Sequence, residues 1–192
     1  HVFRRRQRQM CIRDSTYLGC GYFDFAHMAK ANDDGYFPYT PASTLLRGLR
    51  TSVDMLLEEG LNNVFARHHR LAEGVRLAVS AWGLRTCAET SDIHSDTVTA
   101  VRVADSTNAN DVIHAASHNY GVSLGAGLSK VAGKVFRIGH LGWLNEAMVL
   151  QALGGTELAM RDAGINSEAG SGVGAAVMHF TPPRKQVLIA AE

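Results

Sequence analysis

The stretch KVFRIGHLG, residues 134–142, combines a short β-strand pattern with a charged residue and closing glycines. Val135, Phe136 and Ile138 are typical of a strand, and Arg137 lies among them. A buried or half-buried guanidinium group needs an anionic partner. From these residues alone, that partner is either an Asp or Glu of the protein or the carboxylate of a ligand. A third possibility is an arginine whose charged end reaches water at a sheet edge.

The residues around this stretch alternate between strand and helix patterns. Apolar and β-branched residues predict strands over 84–88, 97–103 and 122–124, in addition to the strand that begins at 134. Apolar residues at helical spacing predict two helices, and these cover 109–120 and 145–163. We therefore expect a small α/β unit with the order strand, strand, helix, strand, strand, helix.

Two long helices are predicted before this unit. Thr40 is a good N-cap and Pro41 suits the first helical position, so a helix is expected from here to Gly60. A second apolar stripe predicts a helix over 61–82. A shorter helix is expected near 25–31.

The first fifteen residues, HVFRRRQRQMCIRDS, are not expected to belong to the native protein. Back-translation from Arg5 to Ser15 gives a string that resembles a transposon-end adapter for DNA sequencing libraries. Without this segment, 14 basic and 17 acidic residues remain, in place of 19 and 18. A nucleic-acid-binding function would rest on this segment alone, so we expect no nucleic-acid partner.

Four segments are expected along the chain, and the last is a flexible tail. They are 1–15, of adapter origin; 16–82, the end of a larger domain with a connector and helical hairpin; 83–164, a small α/β domain; and 165–192, the tail. No run approaches the 18 apolar residues of a membrane span, so we expect no membrane partner.

No metal site is predicted. His68 and His69 are adjacent, so on a helix they point about 100° apart and cannot hold one ion together. His114 and His118 have i, i+4 spacing but no accompanying carboxylate motif. A solvated helix face is the expected environment of these histidines. The glycine-rich LGAGLSK, residues 124–130, lacks a phosphate-binding GK[ST] ending and is expected to form a loop.

Two stretches resemble the class V aminotransferases, specifically the serine–glyoxylate and alanine–glyoxylate enzymes. They are GYFPYTPASTLLRGLRTSVDMLLEEGLNNVFARHHRLAEGVR and LGAGLSKVAGKVFRIGHLGWLNE. The resemblance covers about residues 16–175 and implies an α/β fold, the fold-type I of pyridoxal phosphate-dependent transferases. The chain would hold the C-terminal part of the large domain and the small α/β domain.

The resemblance also implies roles for individual residues. Arg137 would bind the α-carboxylate of the amino-acid or 2-oxo-acid substrate. Thr40 would contact the pyridoxal phosphate bound to the neighbouring subunit, which implies a homodimer. A nearby aromatic residue would share this contact, and Tyr36 is assigned to it. Tyr39, which is also near, and Phe37, at the aligned place, are the alternatives.

The implied reaction transfers an amino group from serine or alanine to glyoxylate, and the expected location is the cytoplasm. The family's Schiff-base lysine lies about fifty residues before the threonine, outside this chain. No catalytic residue is therefore assigned, and we expect this chain alone to be inactive. The alternative hypothesis is a non-catalytic α/β module that binds a partner. The preferred amino donor is not determined by these residues.

Overall fold

The computed structural model describes residues 24–181, and their contacts divide the chain into two units with a boundary between 58 and 59. The helices are α1 (Phe25–Asp33), α2 (Ser43–Glu59), α3 (Leu61–Ala81), α4 (Ala109–Tyr120), α5 (Glu146–Asp162) and α6 (Ser171–Phe180). The strands are β1 (Arg85–Thr86), β2 (Val98–Arg102), β3 (Gly125–Ala126) and β4 (Val135–Gly139). The predicted adapter segment 1–15 and the end of the predicted tail lie outside the described residues.

The unit that ends at residue 58 contains α1 and most of α2. Asp24 caps α1, because its carboxylate accepts the amide of Ala26 at 2.9 Å. The prediction that Thr40 caps α2 is wrong, since α2 begins at Ser43. The Ser43 amide donates to the Pro41 carbonyl at 2.9 Å, so the chain is still turning where the helix was expected. Thr40 is therefore too far back along the chain to reach the first helical amides.

The second unit is built around an antiparallel four-stranded sheet with the order β1-β2-β4-β3. Its two central strands share five pairs, among them Ala100 with Arg137 and Val101 with Phe136. Val101 and Phe136 are fully buried in the core. Arg137 follows Phe136, so the alternation of a strand places it on the opposite face of the sheet.

The predicted strand at 122–124 is wrong, because the strand that pairs with β4 is Gly125–Ala126. Glycine and alanine have low β propensity, and pairing with β4 forms this strand in spite of it. The other predicted strands are present, in shortened form. The helices predicted at 109–120 and 145–163 are also present, and Gly121 ends α4 in the left-handed conformation with φ 65°.

Helix α3 belongs with the sheet rather than with the preceding helix. Its apolar residues Leu71, Val75 and Val79 are buried, and α3 contacts β1, β2, α5 and α6. The boundary expected at 82/83 therefore differs from the one given by the contacts, at 58/59. The apolar stripe of α3 explains the difference, since it completes the core of the α/β unit.

Residues 171–180 of the predicted tail form α6, which packs closely against α3. A Cβ added to Gly74 of α3 would lie 2.3 Å from the ring of Phe180, and one added to Gly172 of α6 would lie 2.2 Å from the indole nitrogen of Trp82. Phe180, the last residue of α6, thus lies against a glycine of α3, and Trp82, directly after α3, lies against a glycine of α6. Because they have no side chain, Gly74 and Gly172 permit this close approach.

Within residues 24–181, no helix has the length and apolar character needed to cross a membrane.

Candidate functional site

Arg137 lies in the middle of β4, paired with Ala100 on one side and Gly125 on the other. Its side chain is half-buried, and its Nε–H donates to the carbonyl oxygen of Ala126 at 3.0 Å. Over residues 24–181, no carboxylate lies within ion-pair distance of the guanidinium group. The described part of the chain therefore leaves both terminal amino groups of Arg137 able to bind an external anion.

The strand that carries Arg137 is fixed at its C-terminal end by a buried histidine. The ring of His140 is fully buried between the Asp96 carbonyl, 3.1 Å from Nδ1, and the Thr99 hydroxyl, 2.9 Å from Nε2. A carbonyl can only accept, so Nδ1–H donates to it and Nε2 accepts from Thr99. Burial lowers the pKa of His140 from its usual value, and this keeps the ring neutral.

A second buried histidine holds the loop that follows β4. His68 of α3 donates from Nδ1 to the Val64 carbonyl at 2.7 Å, and its Nε2 accepts the Gly142 amide at 3.1 Å. The expectation of a solvated helix face is therefore wrong for His68, although His69, His114 and His118 are exposed. No sequence pattern singles out His140, apart from its position directly after β4.

Arg67, which directly precedes His68 on α3, also binds the loop that follows β4. Its guanidinium makes a two-pronged contact with Glu59, with Nε–Oε1 and Nη2–Oε2 distances of 2.6 and 2.8 Å. Nη1 also donates to the Gly142 carbonyl at 2.9 Å, and the group lies 5.7 Å from the ring centre of Trp143. The hydrogen bond from Arg67 lowers the pKa of Glu59. These contacts connect the start of α3 to the residues just after the arginine strand.

The other two residues assigned by resemblance, Thr40 and Tyr36, belong to the first unit. Both are exposed, Tyr36 with 74% of its surface accessible. Among the described residues, neither hydroxyl group has a hydrogen-bond partner. Tyr39, the other candidate, contacts the ring of His27 edge-on at 6.0 Å between centres. Exposed hydroxyl donors of this kind fit a phosphate group, which accepts hydrogen bonds at every terminal oxygen.

The structure does not gather three or more metal-ligating side chains anywhere among residues 24–181. His114 and His118 stack with ring centres 3.9 Å apart, and His118 Nδ1 lies 3.0 Å from the His114 carbonyl.

Several known aminotransferases resemble this chain. It is 56% identical over 160 residues to serine–glyoxylate aminotransferase of Hyphomicrobium methylovorum, covering 83% of the chain and 40% of that protein. It is 48% identical over 159 residues to L-aspartate–glyoxylate aminotransferase of Paracoccus denitrificans, covering 83% and 40%. The pyridoxamine–pyruvate aminotransferase structure from Mesorhizobium loti matches with TM-score 0.70 and 36% identity over 74% of this chain and 37% of that one. The chain belongs to the class V aminotransferase family.

The predicted fold-type I α/β architecture of this class V chain is thereby confirmed. No protein-family profile matches the sequence. The chain spans about 40% of the length of the first class V relatives, so it represents part of the structure that those proteins form.

Proposed function

We propose that Arg137 holds the substrate carboxylate in a pyridoxal phosphate-dependent aminotransferase that moves an amino group from serine or alanine to glyoxylate. One observation carries this proposal. The guanidinium of Arg137 is half-buried and anchored at Nε, yet it has no acidic partner among the described residues. The guanidinium is planar and permanently charged. With both terminal amino groups unpaired among the described residues, it can bind a carboxylate through two parallel hydrogen bonds.

The proposed role follows from what Arg137 offers to each half-reaction. Amino donor and 2-oxo-acid acceptor both carry a carboxylate next to the reacting carbon, so one arginine can orient both. Fixing the carboxylate at two points restricts rotation of the ligand, which lowers the entropic barrier of the reaction. When bound, pyridoxal phosphate supplies the aldehyde carbon and the electron-accepting ring that amino transfer requires.

Thr40 and Tyr36 are proposed to hold the cofactor phosphate of a homodimeric, cytoplasmic enzyme. Their exposed hydroxyl groups, without partners among residues 24–181, support this assignment. The Thr40→Val and Tyr36→Phe variants of the full-length enzyme are expected to release pyridoxal phosphate more readily. The dissociation constant, followed by cofactor absorbance, measures this directly, and Thr44→Val on the exposed surface of α2 is the matched control.

The exposed apolar face of α2 supports a role within a longer protein rather than as a self-contained module. In α2, the apolar side chains of Leu45, Leu49 and Leu57 are 73%, 58% and 63% exposed, and no residue of α2 is buried. An apolar face of this size is normally covered by further protein. Because the family's lysine is not assigned to this chain, we propose that the chain alone does not catalyse amino transfer.

The decisive experiment compares Arg137→Lys and Arg137→Gln in the full-length enzyme. Lysine keeps the charge but loses the planar fork, and glutamine loses both. We expect KM for glyoxylate and for the amino donor to rise about tenfold or more in both variants, with the larger rise for glutamine. Arg161→Gln, an exposed arginine at the end of α5 without an ion pair among the described residues, is the control. Unchanged KM values in Arg137→Gln would refute the assignment.

A further inference from the structure

Gly125 is the residue directly opposite Arg137 in the β3–β4 pairing. A Cβ built on Gly125 would lie 3.1 Å from Nε, 3.3 Å from Cβ and 3.4 Å from Cζ of Arg137. The arginine side chain therefore lies along β3, over the position that a side chain at 125 would occupy. Distances of 3.0–3.4 Å are tighter than ordinary van der Waals contact, so even a methyl group at 125 must displace the guanidinium.

The backbone conformation of Gly125 does not by itself require glycine. Its φ angle is not among the positive values, in contrast to Gly121 with φ 65° and Gly133 with φ 73°. The Arg137 side chain is thus the feature of the structure that requires the missing Cβ at 125. Glycine at a strand position commonly marks such a close approach of another group.

Contact with β3 also fixes which edge of the guanidinium remains open. The Nε–H group is occupied by the Ala126 carbonyl at 3.0 Å, so a carboxylate cannot bind side-on through Nε and one terminal nitrogen. Nη1 and Nη2 make no hydrogen bond among the described residues. An incoming carboxylate must then bind end-on, bridging these two nitrogens along the extension of the Nε–Cζ bond.

We infer that Gly125 is a positioning residue: with the Ala126 carbonyl, it holds Arg137 flat against β3 and presents the two terminal nitrogens to a single carboxylate. This inference rests on the proposed function of Arg137. It adds that the ligand is a small acid bound end-on through one carboxylate. It also adds that Gly125, which has neither charge nor side chain, governs the affinity for this acid.

The test is the affinity of the full-length, cofactor-loaded enzyme for glycolate, followed by NMR titration. Glycolate has the carboxylate and the size of glyoxylate but a hydroxyl group in place of the aldehyde, so it cannot accept an amino group. We expect Gly125→Ala to raise the dissociation constant about tenfold, the loss of one charge-assisted hydrogen bond. Gly139→Ala is the matched control, two residues after Arg137 in the same strand β4, because a Cβ there meets nothing within 4 Å. It should change the constant less than twofold.

Arg137→Gln separates a failure of the inference from a failure of the proposed function. If Arg137→Gln leaves glycolate affinity unchanged, the proposed function fails, and the inference fails with it. If Arg137→Gln weakens binding but Gly125→Ala does not, only the inference is overturned. When both weaken binding, the double variant should bind no more weakly than Arg137→Gln alone, because Gly125 acts only through Arg137. Additive losses would overturn the inference.

If Gly125→Ala fails to fold, a second double variant, Gly125→Ala with Arg137→Ala, tests whether the contact with Arg137 is the cause. The Arg137→Ala change removes Nε and Cζ, two of the three atoms that the new methyl group would meet, and leaves only Cβ at 3.3 Å. Recovery of the folded protein in this variant supports the contact between the two residues. Persistent misfolding would overturn the inference, since it would show that β3 itself requires glycine at 125.

Discussion

Gly172 lies in the first turn of α6, with the indole of Trp82 against its Cα atom. A Cβ at this position would lie 2.2 Å from Nε1, 2.4 Å from Cε2 and 2.8 Å from Cζ2 of the indole. The indole cannot move aside freely, because its Nε1–H donates to the buried carboxylate of Glu157 at 3.0 Å. The substitution Gly172→Ala therefore sets a methyl group against a ring that is held in place.

The expected cost follows from three contributions. Overpacking a well-packed core costs about 1–3 kcal/mol, and a contact this short belongs at the upper end. Replacing a helical glycine with alanine stabilises the helix by at most about 1 kcal/mol. If the indole turns away, the hydrogen bond to the charged Glu157 adds a loss of about 1.5–3 kcal/mol. We expect Gly172→Ala to destabilise the protein by about 2 kcal/mol or more.

Urea unfolding of the 192-residue chain, followed by tryptophan fluorescence, measures this change in the free energy of unfolding. A loss of about 2 kcal/mol corresponds to a fall in Tm of about 4–8 °C for a chain of this size. Gly154→Ala in α5 is the matched control, because the nearest atom to its new Cβ is Val173 Cγ2 at 3.9 Å. That substitution should stabilise the protein by up to about 1 kcal/mol.

The two substitutions are chemically identical, so their opposite signs isolate the effect of packing. If Gly172→Ala were neutral or stabilising, the indole would not be held against α6, and the docking of this helix would need another explanation. If both variants lost stability equally, a general effect of alanine would account for the result instead of the contact with Trp82.

Three further outcomes follow from the described contacts. Phe136→Ala should cost about 3–5 kcal/mol in urea unfolding, because Phe136 is fully buried in the sheet core. Burial lowers the pKa of His140, so the unfolded chain binds a proton before the folded chain does; stability should fall as the pH drops below about 6.5 and level off below the folded-state pKa. His140→Gln should flatten this pH dependence, whereas His114→Gln, at an exposed position, should preserve it. Arg67→Lys should raise the pKa of Glu59 toward its usual value, as measured by NMR titration, because the hydrogen-bonded fork is lost.

The parts of the fold that the sequence predicts well are those with strong local signals. The alternation in β2 and the run of apolar residues in β4 are reproduced within one or two residues. Helix α4 has the predicted bounds because Asn108 caps its start and Gly121 ends it in the left-handed region. Caps, glycine stops and side-chain periodicity all act within a few residues, so they can be recognised without knowing the tertiary structure.

Apart from the cap predicted at Thr40, where the local hydrogen bond between Ser43 and Pro41 delays the start of α2, the errors depend on contacts between distant residues. Strand β3 forms at Gly125–Ala126 through pairing with β4, against the local propensity of its residues. Helix α6 is stable because it packs on α3, and glycines such as Gly172 look like signs of flexibility until their neighbours are known. His68 has the appearance of a surface helix residue, yet Gly142, 74 positions later, donates a hydrogen bond to it.

The same long-range contacts explain how a short strand can hold one arginine in a defined position. Phe136 and Ile138, on either side of Arg137, are buried in the core, which prevents β4 from shifting along its axis. Beyond the strand, His140 and the loop residue Gly142 are each tied by hydrogen bonds to other elements. Precise binding requires that the supporting shell be rigid as well as the binding group itself. Substitutions in these supports should therefore weaken carboxylate binding without removing any charge from the site, and their effects should disappear once Arg137 has been replaced.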